Sequence, residues 1–78
     1  MDISELLAYL AEGLVDDPES VTVDRFEDRG TIVLELAVAT DDYGKVIGRG
    51  GRTAQSLRRV IRAAGAISGQ RVLVDIVD

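Results

Sequence analysis

The chain has 78 residues, of which 46% are hydrophobic and 4% aromatic, so it is long enough for one small domain with an aliphatic core. It contains neither cysteine nor histidine, which excludes disulfides and thiolate metal sites and removes the commonest general base and metal ligand. The N-terminal segment lacks a basic signal-peptide region, and no apolar run approaches the roughly 18 residues that span a bilayer, so we expect a cytoplasmic protein with no membrane contact.

Charge is distributed unevenly along the chain, whose formal net charge is −5. Residues 1–42 contain twelve acidic and two basic residues, whereas residues 43–74 contain seven basic residues and no acidic one. Asp75 and Asp78 follow. This segregation predicts a dipolar protein with one basic face, which the net charge conceals.

The N-terminal segment predicts an amphipathic helix. It begins after a capping residue, either Asp2 or Ser4, and weakens near Gly13. The apolar residues at helical spacing are Ile3, Leu6, Leu7, Leu10 and Leu14.

A loop and a hairpin follow this helix. Residues 15–20, which include the only proline, are typical of a loop, and a strand begins at Val21. The turn over 27–30 leads into a longer strand over 31–39, in which alternate residues form a fully apolar face. The short connection predicts that the two strands are antiparallel.

The second half of the chain predicts two helices and a strand. A short helix is capped by Asp41 or Asp42 and ends at the glycines, and Gly65 is the expected C-cap of the longer helix. The longer helix covers 52–64 and the last strand 71–77. The expected inner stripe of the longer helix is Ala54, Leu57, Val60, Ile61 and Ala64.

These elements have the order α-β-β-α-α-β and predict an α+β fold. The helix pair between the second and third strands is long enough for a right-handed parallel crossover. We therefore expect a three-stranded mixed sheet packed against three helices.

The most informative stretch is GKVIGRGGRT, residues 44–53, which places four glycines and three basic residues between the two predicted helices. Glycines ahead of the longer helix leave its first N–H groups and its positive dipole end open to an anion. Gly48 and Gly51 allow a phosphate–sugar backbone to approach closely, and Arg49 adds charge. The spacing fits neither a Walker A loop, which needs a lysine after its last glycine, nor a dinucleotide fingerprint, since Thr53 replaces the third glycine.

Residues 44–52 resemble the core of the KH domain, in which a hydrophobic residue precedes a GxxG loop that clamps about four nucleotides of single-stranded nucleic acid. The helix and strand that precede the core resemble the type II KH arrangement, and the resemblance extends over nearly the whole chain. At this length the sequence is most similar to the KhpA family of small bacterial RNA-binding proteins. The resemblance implies a single KH domain over residues 1–78, with the GxxG loop between its second and third helices.

The resemblance also implies roles for particular residues. It assigns the clamp to the loop residues Gly48, Arg49, Gly50 and Gly51. It places Ile47 and Leu57 at or beneath an apolar groove beside the loop, and the edge of the longer strand, around residues 36–38, at the opposite wall.

Basic residues around the loop extend the expected RNA-binding site. Lys45 and Arg52 flank the glycines, and we expect both to contact phosphates. Arg58 and Arg59 are candidates further along the helix, and the alternative for them and for Arg62 is a solvated helix face.

The function implied by the resemblance is non-catalytic binding of single-stranded RNA, as a post-transcriptional regulator or RNA chaperone that needs no cofactor or metal. The family implies homodimers, or heterodimers with a larger KH protein of the KhpB (Jag) type. The alternative is a KH-like protein-interaction module in ribosome assembly or translation, which would bring ribosome association instead of direct RNA recognition. An enzyme is disfavoured because residues 43–74 contain no histidine, cysteine or carboxylate to act as a general base, and no paired carboxylates are apparent elsewhere.

Overall fold

A computed structural model describes residues 1–78 and contains three helices and three strands. These elements are α1 (Ile3–Glu12), β1 (Thr22–Asp28), β2 (Thr31–Ala37), α2 (Tyr43–Ile47), α3 (Arg52–Ile67) and β3 (Arg71–Ile76). Single 3₁₀ turns lie at Pro18–Ser20, Thr40–Asp42 and Arg49–Gly51. The predicted order α-β-β-α-α-β and the α+β class are confirmed. None of the helices combines the length and the apolar character that a bilayer crossing requires.

Helix α1 begins with a reciprocal capping box. The Asp2 carboxylate accepts the N–H of Glu5 (2.9 Å), and the Glu5 carboxylate accepts the N–H of Asp2 (3.1 Å). Asp2 is therefore the N-cap residue, which confirms one of the two predicted alternatives. One face of the helix buries Ile3, Leu7 and Ala11 against the sheet and α3.

The sheet has the strand order β1-β2-β3 and is mixed, as predicted. The strands β1 and β2 are antiparallel, with Phe26 opposite Val33, and β2 and β3 are parallel, with Val33 opposite Leu73. The turn between β1 and β2 consists of Arg29 and Gly30, both at positive φ. Because both neighbours of β2 are hydrogen-bonded to it, β2 is the central strand.

The hydrophobic core lies between the helices and one face of the sheet. Alternate residues of β2 and β3 point into it, which confirms the predicted alternation. Leu7, Val46 and Ile61 close it from α1, α2 and α3, each fully buried. The core residues contributed by the sheet are Ile32, Leu34, Leu36, Val72, Val74 and Ile76.

The opposite face of the sheet is not covered by any helix. The strand registers place an apolar row and an acidic row of side chains across it, next to a third row of Asp28, Thr31 and Arg71. The apolar row is Phe26, Val33 and Leu73, and the acidic row is Asp24, Glu35 and Asp75. The sheet therefore places part of the acidic segment on the side of the molecule away from α3 and its arginines.

The structure corrects the predicted end of the longer helix. Helix α3 continues to Ile67, so Gly65 is not its C-cap but a buried interior residue. A Cβ at this position would lie 2.5 Å from Cγ2 of Val72, so glycine is needed for close packing of α3 on β3. Ser68 is the C-cap instead. The predicted inner stripe is also wrong at Val60, which is 46% exposed.

The expected wall of the RNA groove is corrected as well. The longer strand ends at Ala37, and it has no free edge because it lies between β1 and β3. Leu36 is fully buried in the core and is unavailable to a ligand. The free edge next to α3 belongs to β3.

Candidate nucleic-acid interface

The GxxG loop, residues 48–51, lies between α2 and α3. Helix α2 ends where the Gly48 N–H donates to the Gly44 carbonyl oxygen (2.8 Å), and the Gly51 N–H donates back to the Gly48 carbonyl oxygen (3.1 Å). Gly48 has φ 76° and ψ 171°, a conformation essentially restricted to glycine. A Cβ on Gly48 would lie 2.2 Å from Oγ1 of Thr53. The first glycine of the loop is therefore required by its backbone conformation and by its contact with α3.

The second half of the loop is open to its surroundings. A Cβ on Gly50 or Gly51 would have no other atom within 4 Å. Gly51 occupies the N-cap position of α3, and no side chain bonds to the N–H groups of the first turn. The N–H of Arg52 donates to the Arg49 carbonyl oxygen, so the remaining N–H groups of the first turn and the positive end of a 16-residue helix dipole are what this end of α3 offers to a phosphate group.

The arginines near the loop have no acidic partners. Arg49, Arg52 and Arg59 are exposed, and both salt bridges in the structure belong to Lys45. Arg58 is half-buried, and its Nε donates to the Val74 carbonyl oxygen (3.2 Å), so it lies between α3 and β3. The three exposed guanidinium groups are therefore free to pair with an anion.

The two predicted groove residues do not line the same cavity. Leu57 is buried and lines an apolar groove of about 240 Å³ between α1 and α3, whereas Ile47 is half-buried, packs against the core and does not line that groove. The residues lining it, here called the α1–α3 groove, are Leu10, Leu14, Thr53, Ser56, Leu57 and Val60.

Lys45 is placed differently from the arginines. Its Nζ lies 2.6 Å from Oδ2 of Asp16 and 3.0 Å from Oδ1 of Asp42. Asp42 is buried, and its Oδ2 accepts the backbone N–H of Asp17 (3.0 Å). Asp42 precedes α2 as predicted, but its side chain makes no capping bond to that helix.

The ion pairs in this cluster change the pKa values of two of its members. The hydrogen bond from Lys45 holds the pKa of Asp42 below its ordinary value, against the opposing effect of burial. The hydrogen bonds to Asp16 and Asp42 raise the pKa of Lys45. The pairing of Lys45 with Asp16 and Asp42 is not predicted by the sequence. Its only local signal is the i, i+3 spacing of Asp42 and Lys45, while Asp16 lies 29 positions from Lys45.

Comparisons with known proteins found similar sequences over nearly the whole chain. A family model described as "KhpA/KhpB, KH domain" matches residues 4–76. A protein of Streptomyces coelicolor named RNA-binding protein KhpA is 50% identical over 76 residues, which are 97% of this chain and 92% of the relative. Proteins of the same name from Treponema pallidum and Caldanaerobacter subterraneus are 45% and 41% identical, over 95% and 96% of this chain and 92% and 100% of theirs.

A solved structure has the same fold. The crystal structure of an Aquifex aeolicus Era variant bound to GDP and aluminium fluoride matches with a TM-score of 0.66 at 20% identity. The match covers 95% of this chain but only 29% of the Era chain. At this identity the likeness concerns the fold alone.

Proposed function

The chain belongs to the KhpA/KhpB family of KH domains, and from this premise we propose that it binds single-stranded RNA at the GxxG loop. The observation that carries the proposal is the open N-terminus of α3, which follows two unobstructed glycines and is flanked by arginines without acidic partners. The relatives' shared name, RNA-binding protein KhpA, supports the choice of ligand. The proposed activity is binding without catalysis.

In the proposed complex the RNA backbone lies against Gly50 and Gly51, where no side chain obstructs it. The first N–H groups of α3 and the helix dipole hold one phosphate. Arg49 and Arg52 neutralise neighbouring phosphates, and about four nucleotides are clamped. Because only a few phosphates are contacted by an acidic protein, the affinity should be modest, and it should fall with salt by a slope of about 0.7 per phosphate contacted.

The remaining predicted residues have secondary places in this proposal. Ile47 offers partly exposed apolar surface next to the first glycine. Arg59 extends the cationic surface along α3, while Arg58 would have to exchange its bond to Val74 for a phosphate. The Lys45 ammonium group is already paired with two carboxylates, so Lys45 is the weakest candidate for direct contact with RNA.

The experiment is a fluorescence anisotropy titration with a short labelled oligouridine. Gly50→Asp should weaken binding by at least about tenfold, because it places a carboxylate against the RNA backbone and like charges cost several kcal/mol. The matched control is Gly30→Asp, which has the same charge change and a positive-φ glycine with nothing within 4 Å, but lies in the β1–β2 turn. Equal binding by the folded Gly50→Asp protein and the wild type would overturn the proposal.

The biological role we propose is post-transcriptional regulation or RNA chaperone activity in the cytoplasm. The competing role is a protein-interaction module that associates with the ribosome. Purification from cells with and without nuclease separates the two. Partner association that survives nuclease, with no RNA recovered, would favour the competing role.

We also propose that the α1–α3 groove is where a second copy packs, or a larger KhpB-type partner. Leu14 and Val60, which line it, are 40% and 46% exposed, and Tyr9, which is 64% exposed, lines an adjoining depression with Leu10 and Leu14. An apolar surface of this kind gains stability when it is covered. Light scattering with Val60→Asp is the test, with Ala66→Asp as a control on the exposed part of the same helix outside the groove. We expect only Val60→Asp to abolish pairing. A monomeric wild type that also forms no complex with a KhpB-type protein would refute this.

A further inference from the structure

Lys45 differs from the other basic residues near the loop in having two carboxylate partners. Its Nζ contacts Asp16 at 2.6 Å and Asp42 at 3.0 Å, and the side chain is only 43% exposed. Two of its three N–H donors bond to carboxylates whose combined charge exceeds its own, so a phosphate that used the third donor would also meet the repulsion of both carboxylates. The exposed arginines have no such cost.

Asp42 makes this arrangement difficult to exchange. It is the only charged residue that is buried, at 2% exposure. A buried carboxylate is strongly unfavourable unless it is paired and hydrogen-bonded. Lys45 provides the pair, and the backbone N–H of Asp17 provides the second bond at 3.0 Å. The cluster therefore ties the segment after α1 to the start of α2.

The position of α2 determines the position of the loop. Helix α2 has five residues, far fewer than an isolated helix needs to be stable, so it depends on its tertiary contacts. Those contacts are the buried Val46, the half-buried Tyr43 and Ile47 that pack against the core, and the Lys45–Asp42 pair. Helix α2 is followed directly by Gly48. A Cβ on Gly48 would clash with Thr53, so the loop packs closely against α3. A small displacement of α2 would therefore move the GxxG loop relative to the N-terminus of α3.

We propose that Lys45 is a positioning residue, which acts through Asp42 to hold α2 and the GxxG loop in their binding arrangement and does not itself contact RNA. This inference rests on the proposed RNA binding. It assigns to Lys45 a role different from the phosphate contact that its place beside the loop predicts.

The first test measures the affinity for a short labelled oligouridine as a function of salt. A residue that contacts a phosphate contributes about 0.7 to the slope of log affinity against log salt for single strands. We expect Lys45→Met to weaken binding by about threefold to tenfold with an unchanged slope, as for other coupled contacts. Arg49→Met, the reference for a direct contact, should lower the slope by about 0.7. A slope lowered by that amount in Lys45→Met would overturn the proposal.

A double-mutant cycle gives a second criterion. If Lys45 acts through Asp42, then Asp42→Asn weakens RNA binding as well, and the double variant is no worse than either single variant. If Lys45 were a phosphate contact restrained by Asp42, Asp42→Asn would free it and strengthen binding, and that result would refute the inference. Lys45→Arg, which keeps the charge and the pairs, should restore most of the affinity.

A third measurement does not depend on RNA. In amide NMR spectra of the free protein, Lys45→Met and Asp42→Asn should shift the loop resonances of residues 48–51, while the rest of the spectrum stays dispersed. Asp16→Asn is the matched control, because Asp16 is 84% exposed and its loss leaves the Lys45–Asp42 pair in place. Unmoved loop resonances in Lys45→Met would overturn the inference. A wild type that binds no RNA would overturn the proposed function instead, while these spectra still decide the role of Lys45.

Discussion

Replacing Gly48 with alanine should destabilise the protein strongly, for two separate reasons. The backbone at φ 76° and ψ 171° lies in a region that costs other residues about 1–3 kcal/mol. The new Cβ would also lie 2.2 Å from Oγ1, 2.8 Å from Cβ and 3.0 Å from the backbone nitrogen of Thr53, and overpacking of this kind costs about 1–3 kcal/mol. Together these effects amount to about 2–6 kcal/mol.

This loss is a large part of the stability that a domain of 78 residues has, about 4–12 kcal/mol at the usual value per residue. For a domain of this size each kcal/mol lowers Tm by about 4–8 °C, so we expect a fall of at least about 8 °C. Urea and thermal unfolding followed by circular dichroism measure it.

Gly50→Ala is the matched control for this prediction. Gly50 also has a positive φ, 65°, but a Cβ there meets no atom within 4 Å, so only the backbone term of about 1–2 kcal/mol applies. Adding Thr53→Ala to Gly48→Ala should restore part of the lost stability, because it removes the closest clash. If Gly48→Ala were no more destabilising than Gly50→Ala, the contact with Thr53 would not be the constraint.

Three further predictions concern the rest of the fold. Asp2→Ala should cost about 1 kcal/mol in urea unfolding, because it removes the capping box of α1; no loss would mean that solvent replaces the cap. Gly65→Ala should destabilise by about 1–3 kcal/mol despite the higher helix propensity of alanine, since its Cβ meets Val72 at 2.5 Å, and a more stable variant would contradict this. The lowered pKa of Asp42 contributes stability above the ordinary value of 3.8, which is lost as pH falls through the lowered pKa. The raised pKa of Lys45 contributes stability below 10.5, which is lost as pH rises through the raised pKa. Asp42→Asn should therefore flatten the acid side of a stability–pH profile, and an unchanged acid side would refute the pairing.

Features that depend on residues a few positions apart could be predicted from the sequence. The start of α1, the alternation in β2 and β3 and the GxxG loop before α3 follow from capping, side-chain periodicity and glycine content within short windows. The mixed sheet follows from one short and one long connection between strands. The separation of charge into an acidic and a basic segment is likewise a property of the sequence alone.

Features that depend on which distant segments touch were decided by the tertiary structure. Gly65 lies inside α3, where Val72 of β3 packs against it, and Val60 is 46% exposed although its helical spacing groups it with the core residues. Lys45 has the local sequence context of a phosphate contact, yet Asp16, 29 positions away, and the burial of Asp42 commit its ammonium group to carboxylates. The sequence specifies how many basic side chains lie near the GxxG loop. Only their three-dimensional neighbours determine which of those cations are free for a ligand, because an ammonium group whose charge is already neutralised by two carboxylates attracts a phosphate less than an unpaired guanidinium does.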